Sequence, residues 1–402
     1  MFYKLADNCV QFETMGIPML GNPATGHLFG LDNEGKWLAD RLMAGCDIEE
    51  NNLSESQKAL FEALKASELF GPGNVYDDAN RAAYFHVTSR CNMNCIGCYS
   101  QLDGNYGGKE PLSLEDIKKI VDNMAEAKIK SVIISGGEPF LRADILEVMK
   151  YMKEKIPAVS CISNGYADID TYLKAGKIID SISFSLDGPS EESSYLRKKA
   201  HSKIVDVIMR LKEEGCKPKI VFTLHKKNIR DYFKMKQLAE SLGVFYNFSL
   251  FQTPHSLETE GYEMGNKEVE FLCSDEVVDS DIVIEDSAGN GCFGCRECCG
   301  AGRTMISIAS NGDILPCHMF YDGRFIMGNA LRENLSQFFE MHREPLVQLS
   351  LKEECGKCEY RFLCGGGCPF RSYVNTGNIR GLDPMCPMHI AYITKTIKSL
   401  IG

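Results

Sequence analysis

Between residues 80 and 255 the spacing of apolar positions switches repeatedly between two periods. Short apolar runs at Ala82–Val87, Ser131–Ser135, Val159–Ile162, Ser181–Ser185, Lys219–Leu224 and Val244–Leu250 read as strands. Between them the apolar positions take helical spacing, as at Leu114, Ile117, Ile120, Val121 and Met124 behind the cap Ser113-x-x-Asp116. Six such strand–helix repeats predict an α/β fold with a parallel sheet, either doubly wound or curled into a partial barrel. Ahead of this block, Val10–Phe12 and His27–Leu31 read as short strands, with a turn at Asp32-Asn33-Glu34-Gly35. Leu38 and Leu42 then take helical spacing, and Ser54-x-x-Gln57 opens a second helix carrying Leu60 and Leu64. Gly71-Pro72-Gly73 closes this unit, so three parts are expected: 1–72, 80–255 and 256–402. The stretch 255–290 is acidic and aperiodic and reads as a solvated connector.

At 402 residues the chain exceeds one ordinary core, which agrees with two or three domains. A net charge of −11 with no basic tract argues against nucleic acid as a partner. No stretch approaches the length of apolar sequence that spans a bilayer, and the N-terminus lacks a signal-peptide pattern. A soluble, cytoplasmic protein with no membrane partner is expected. The 18 cysteines change the picture most. Thirteen fall in two zones, 91–98 and 292–386, and clustered cysteines in a reducing compartment imply metal rather than disulfides.

Cys91, Cys95 and Cys98 stand in a C-x3-C-x2-C spacing directly after the first strand. Three thiolates at that spacing can hold an iron–sulfur cluster but leave one iron of a four-iron cluster without a protein ligand. The second strand ends in Gly136-Gly137-Glu138-Pro139, the third at Ser163-Asn164-Gly165 and the fourth at Ser185-Leu186-Asp187-Gly188. Every one of these elements follows a strand, on the rim where barrel enzymes keep their chemistry, and that favours the barrel. The second cysteine zone runs Cys292, Cys295, Cys298, Cys299, then Gly312-x4-Cys317, then Cys355-x2-Cys358-x5-Cys364-x3-Cys368, and finally Cys386. A zinc ribbon needs four ligands and would strand the rest.

The triad, the Gly-Gly-Glu-Pro element and the second cysteine zone together resemble the radical S-adenosylmethionine enzymes that carry a SPASM extension. The resemblance covers residues 80–390. It implies a partial (β/α)6 TIM-like barrel, a cysteine-rich C-terminal domain and three [4Fe-4S] clusters, one at the triad and two auxiliary. In that family the open iron binds the amino and carboxylate groups of S-adenosylmethionine, which is cleaved to methionine and a 5′-deoxyadenosyl radical. The resemblance places Gly136, Gly137 and Glu138 at the amino group, and Asn164 and Ser185 around the ribose and carboxylate. The family usually has an aromatic residue before the third cysteine, near the adenine. Gly97 stands there, so Tyr99 is expected to supply packing from the far side of Cys98.

By the same resemblance Cys355, Cys358, Cys364 and Cys386 hold the outer auxiliary cluster. Cys317, Cys368 and Cys299 belong to the inner one. Its fourth ligand lies among Cys292, Cys295 and Cys298, and Cys295 is preferred to Cys298 because adjacent residues rarely reach one cluster together. The other cysteines, Cys9, Cys46, Cys161, Cys216 and Cys273, read as core thiols. Residues 1–72 resemble the small winged-helix-like peptide-recognition element related to the chaperone of pyrroloquinoline quinone biosynthesis, which binds a leader peptide as an added strand. The implied activity is maturation of a ribosomally made, cysteine-rich precursor peptide by a thioether or related cross-link, with flavodoxin or ferredoxin as external electron donor. Two rivals stand beside it. A formylglycine-forming sulfatase maturase would carry aspartate where His318 follows Cys317, and a plain iron–sulfur electron carrier has no need of Glu138.

Overall fold

A computed structural model describes residues 3–67, 69–71, 81–101, 112–197, 201–254, 256–280, 293–320, 323–340 and 352–401. Its centre is a nine-stranded sheet in which six strands run parallel and in chain order: β4 (Ala82–His86), β5 (Ser131–Ser135), β6 (Ala158–Ser163), β7 (Ser181–Leu186), β8 (Pro218–Leu224) and β9 (Phe245–Leu250). The predicted strands agree with these to within a residue or two. The sheet is an open, partial barrel, because β9 ends it on one side. On the other side it extends through β10 (Met305–Ile308), β11 (Asp313–Leu315) and β12 (Gly328–Asn329). β10 runs parallel to β4, so the cysteine-rich part of the chain is continuous with the barrel sheet.

Register decides where the chemistry sits. His86 pairs with Ser135 and Leu224 with Leu250, so the C-terminal ends of the strands line one rim. Along β8 every second residue is buried: Ile220, Phe222 and Leu224 face the helical layer, while Val221 and Thr223 are half-exposed on the other face. Phe222, Phe248 and Tyr232 stack in that layer, each fully buried, worth roughly 1.5–3 kcal/mol apiece by area. The helix Leu114–Glu126 starts at the expected capping box of Ser113 and Asp116 and buries Ile117, Ile120, Val121 and Met124.

The N-terminal unit is a three-stranded antiparallel sheet, β1 (Val10–Thr14), β2 (Ile17–Gly21) and β3 (Leu28–Gly30), followed by helices α1 (Asn33–Met43) and α2 (Glu55–Ala66). Two local expectations change here. β2 was not predicted, since Ile-Pro-Met-Leu-Gly carries no alternation. The stretch expected as a turn at Asp32–Gly35 is the first turn of α1, with Asp32 as N-cap accepting the Gly35 N–H at 2.6 Å. Leu64 is fully buried in the unit's own core with Leu20, Leu38, Leu42 and Phe61. A second cluster joins Phe12 and Met19 to Leu363, Ile393 and Ile397, so this sheet packs on the C-terminal helix Cys386–Ile401.

The acidic stretch is not a plain solvated connector. Helices Asn266–Leu272 and Asp275–Val278 bury Val269, Leu272, Val277 and Val278, and only their outer faces are charged. Two short helices leave too few turns for a period to show. Residues 281–290 and Cys292 lie outside the described residues.

Candidate active site and cluster-binding thiols

The loop after β4 carries Cys91, Cys95 and Cys98, all half-buried, with Asn92 and Asn94 exposed between them. Burial raises Cys91 and pushes Cys95 up to about 11, and neighbouring thiols of the triad add to both shifts. A bound cluster supplies the positive charge that keeps such thiolates deprotonated. The loop after β5 lies flush against this one. Gly137 N–H donates to the Thr88 carbonyl at 2.8 Å, and Glu138 N–H donates to the Arg90 carbonyl at 2.8 Å. A Cβ on Gly136 would meet the Thr88 oxygen at 2.3 Å, and one on Gly137 the Arg90 oxygen at 2.2 Å. Gly136 also has φ +138°, so both positions require glycine.

Glu138 is fully buried and tightly held. Its Oε1 accepts the Phe140 N–H at 3.1 Å and the Ser163 hydroxyl at 2.9 Å, and its Oε2 accepts the Asn164 N–H at 2.8 Å. Burial still raises its pKa, because these donors do not offset desolvation in full. An ammonium group is the partner such a carboxylate lacks. Asn164 joins the two loops: its Nδ2 donates to Asn92 Oδ1 at 2.8 Å and lies 3.8 Å from the Cys91 sulfur. Arg142 braces the rim by donating to the Val87 and Leu112 carbonyls at 2.9 and 2.8 Å, with Asp144 as its counter-ion.

Four further rim atoms are buried without a hydrogen-bond partner: Asp187 Oδ1, Arg197 Nη1, His225 Nε2 and Thr253 Oγ1. A buried atom left unmet costs about 1–3 kcal/mol, so His225 Nε2 and Thr253 Oγ1 point to a ligand at this rim. Arg197 and Asp187 are 3.5 Å apart, and both act on the Cys95 thiol. His225 takes the Lys227 N–H on Nδ1 at 3.2 Å, which assigns its own proton to Nε2. Burial, with Lys227 and Arg197 nearby, lowers His225 to about 3, so it is neutral.

The cysteine-rich part holds a second, closed site. Cys355, Cys358, Cys364 and Cys386 line one small cavity together with Asp383 and His389. Burial pushes Cys364 up to about 11 and Cys386 up to about 12. Gly365, Gly366 and Gly367 all have φ between 70° and 82°, a run only glycine tolerates, and the amides of Gly366 and Gly367 face the Cys364 sulfur. Lys352, buried, donates to the Gly366 carbonyl at 2.7 Å. Among the described residues no three ligating side chains converge closely enough for a single metal ion. The thiols are grouped as near neighbours, which suits a larger inorganic core.

The radical SAM superfamily model matches residues 85–238, and the iron-sulfur cluster-binding SPASM model matches residues 298–359. The chain is a radical SAM enzyme with a SPASM domain. It is 25% identical to the mycofactocin maturase MftC of Mycolicibacterium smegmatis over 332 residues, covering 77% of this chain and 83% of the relative. It is 23% identical to an AdoMet-dependent heme synthase of Methanosarcina barkeri over 343 residues, covering 77% and 97%. Its fold matches SuiB of Streptococcus suis, solved with S-adenosylmethionine, at TM-score 0.58 and 15% identity, covering 95% of this chain and 99% of that one.

In this radical SAM enzyme the triad, Gly136, Gly137, Glu138 and Asn164 come together at one rim. Ser185 sits on the neighbouring strand β7, two residues before Asp187. Tyr99 stands among other rings. Its ring lies 6.0 Å from His86 and 5.5 Å from His318, whose own ring stacks on Tyr84 at 4.0 Å. The space beside Gly97 belongs to Phe251, which a Cβ there would meet at 2.5 Å. Cys317 carries the neighbouring His318, and the Gly302 N–H donates to the Pro316 carbonyl at 2.8 Å, which ties the Cys299 loop to Cys317. Phe320 and Phe370 are in ring contact at 5.4 Å, which brings Cys368 toward the same region.

Cys295 does not join that group. It is 2% exposed, packs on Gly21, and shares an apolar cluster with Phe12, Met19 and Leu363. Hydrophobic burial under β2 decides its position, and sequence spacing carried no sign of that contact. Cys298 instead receives the Arg303 Nη1–H at 2.8 Å. Arg197, His225, Phe251 and Thr253 were not foreseen. His225 and Phe251 each directly follow a predicted strand, and that position was the available signal.

Proposed function

We propose that this enzyme is a precursor-peptide maturase built of three units, 1–72, 80–255 and 256–402. When bound, S-adenosylmethionine and the iron–sulfur clusters supply a 5′-deoxyadenosyl radical, which takes a hydrogen atom from a peptide C–H bond, and a store for one electron. The chain's own task is to position and exclude water. Cys91, Cys95 and Cys98 hold the reactive cluster. Glu138 receives the ammonium, with Gly136 and Gly137 letting the backbone close on it. Arg197, beside Cys95, neutralises the methionyl carboxylate. Asn164, Ser185, Asp187, His225 and Thr253 meet the ribose and base, and Phe251 takes the aromatic role expected of Tyr99. Tyr84, His86, Tyr99 and His318 wall the side facing the peptide. Cys355, Cys358, Cys364 and Cys386 hold the outer auxiliary cluster. Cys299, Cys317 and Cys368 hold the inner one, completed by Cys292 or Cys298 rather than Cys295. The product is a thioether or related cross-link, and reduction comes from flavodoxin or ferredoxin.

The N-terminal sheet carries this reading. Among the described residues β3 ends the sheet; the main chains of Phe29 and the following Leu31 turn toward β2, so those of Leu28 and Gly30 point away from it. A leader strand adds there by backbone hydrogen bonds. SuiB, alike over this unit as well, has been solved with its precursor peptide SuiA. His318 in place of aspartate speaks against formylglycine formation, and Glu138 against a plain electron carrier. Deleting the unit is a poor test, because it uncovers Leu363, Ile393 and Ile397. Gly30→Pro is cleaner: it removes one outward N–H at an exposed position where a side chain meets nothing within 4 Å. Labelled leader from the nearest small cysteine-rich open reading frame should bind wild type and lose anisotropy with Gly30→Pro, while uncoupled S-adenosylmethionine cleavage persists. Mass spectrometry should show peptide losing a pair of hydrogens with wild type. Unchanged leader binding and peptide turnover in Gly30→Pro would remove the edge from the account.

A further inference from the structure

One buried aspartate, through its carboxylate and its main-chain carbonyl, accepts from the backbone of cysteines assigned to both auxiliary clusters. Asp383 is 2% exposed. Its Oδ2 accepts the Cys368 N–H at 2.6 Å, its Oδ1 accepts the Met385 N–H at 2.9 Å, and its carbonyl accepts the Cys386 N–H at 2.9 Å. Cys368 is the N-cap of helix Pro369–Thr376, and Cys386 opens helix Cys386–Ile401. The first helix contributes Arg371, whose Nε and Nη2 grip the two Asp383 oxygens at 2.9 and 2.8 Å. The second contributes His389, with Nε2 3.4 Å from Asp383 Oδ2 and 3.3 Å from Arg371 Nη2. Gly367 has φ +71°, and a Cβ there would stand 2.5 Å from Asp383 Oδ2, so the glycine run is shaped around this carboxylate.

A buried ion pair adds little net stability compared with apolar packing, so its presence between two thiol groups calls for another reason. We propose that Asp383 is a positioning residue shared by both auxiliary clusters, and that its pairing with Arg371 sets their reduction potentials together. The proposal rests on the cluster assignment above. The physics is charge. A carboxylate near a cluster disfavours the added electron, and the Arg371 guanidinium cancels that field at both sites at once. Removing either partner leaves the other charge uncompensated at low dielectric, with opposite sign. The two clusters therefore respond in the same direction to one substitution, and in reversed directions to substitution of the two partners.

The experiment is an EPR-monitored redox titration of the full-length, anaerobically reconstituted protein, with iron content measured alongside. In Asp383→Asn both auxiliary potentials should move up while the triad cluster stays in place. In Arg371→Gln both should move down, and Arg371→Lys should bring both back toward wild type. If Asp383→Asn cannot hold its auxiliary clusters, loss of both with the triad cluster retained supports the shared role, whereas loss of one overturns it. A shift in only one auxiliary potential, or none with full iron content, also overturns it. Fewer than two auxiliary signals in wild type would instead refute the cluster assignment itself, before any variant is compared.

Discussion

The triad loop and the outer auxiliary cavity both gather thiols, yet they are built in opposite ways. The triad lies on an irregular loop beyond a strand end, with exposed asparagines between its half-buried cysteines. Around it stand the Asp187–Arg197 ion pair, buried atoms of His225 and Thr253 without a hydrogen-bond partner, and a held carboxylate on Glu138. The outer cavity is lined by four cysteines set by short helices, a glycine run and the N-terminus of helix Cys386–Ile401. Two buried charged groups close to its thiols are held within the fold: Lys352 by the Gly366 carbonyl, and Asp383 by Arg371. Three ligands and unmet polar groups leave room for a reactant. Four ligands and satisfied neighbours close the site to one. On the proposed assignment, the same residue type serves chemistry in one place and electron storage in the other.

The largest expected effect tests that division. Replacing Cys364 and Cys386 together by alanine should remove one cluster's irons and abolish peptide modification, while 5′-deoxyadenosine still forms without peptide. If cleavage of S-adenosylmethionine disappeared as well, the outer site would be part of the reactive centre. Next comes Glu138→Gln, which deletes the charge and turns an acceptor of three bonds into a poorer one. S-adenosylmethionine binding by calorimetry should weaken roughly 10- to 100-fold, the equivalent of about 1.5–3 kcal/mol for a charge-assisted bond. Unchanged affinity would free Glu138 from the amino-group role.

A smaller effect separates packing thiols from ligands. Cys295→Ala should keep all iron and lower the unfolding free energy by about 1–2 kcal/mol, the cost of a small cavity against Gly21. Loss of about four irons would restore Cys295 as a ligand. A further effect concerns acid. Burial lowers His86 and His225 from 6.5 to about 3, so the unfolded chain binds their protons first as pH falls. Stability should therefore decline below pH 6.5, by up to about 1.4 kcal/mol per pH unit for each histidine. Urea midpoints between pH 7.5 and 5 should show that slope in wild type and a shallower one in His225→Phe.

Much of this was legible in the sequence, for physical reasons. The parallel strands were readable because apolar runs alternate with stretches of helical spacing, as behind the cap at Ser113, and the triad and Glu138 because each follows closely on a strand. Contacts made between distant segments were not. β2 lacks alternation, the buried faces of helices 266–278 are too short to show a period, and Cys295 owes its place to Gly21, far away in the chain. Gly97 signalled a missing aromatic ring, but only the fold reveals that Phe251 stands in the vacated space. His225 and Arg197 belong to no motif in the sequence, and only the fold shows their buried atoms at the rim.

The central claim is that one site, the triad, keeps an iron for S-adenosylmethionine while the outer site does not. Pulsed EPR with S-adenosylmethionine labelled at the amino nitrogen and a carboxylate oxygen tests it directly. The account predicts hyperfine coupling from both labels to a single cluster, retained in the Cys364→Ala, Cys386→Ala double variant and lost when Cys91, Cys95 and Cys98 are all replaced by alanine. Coupling that survived loss of the triad, or that vanished with the outer cysteines, would contradict it.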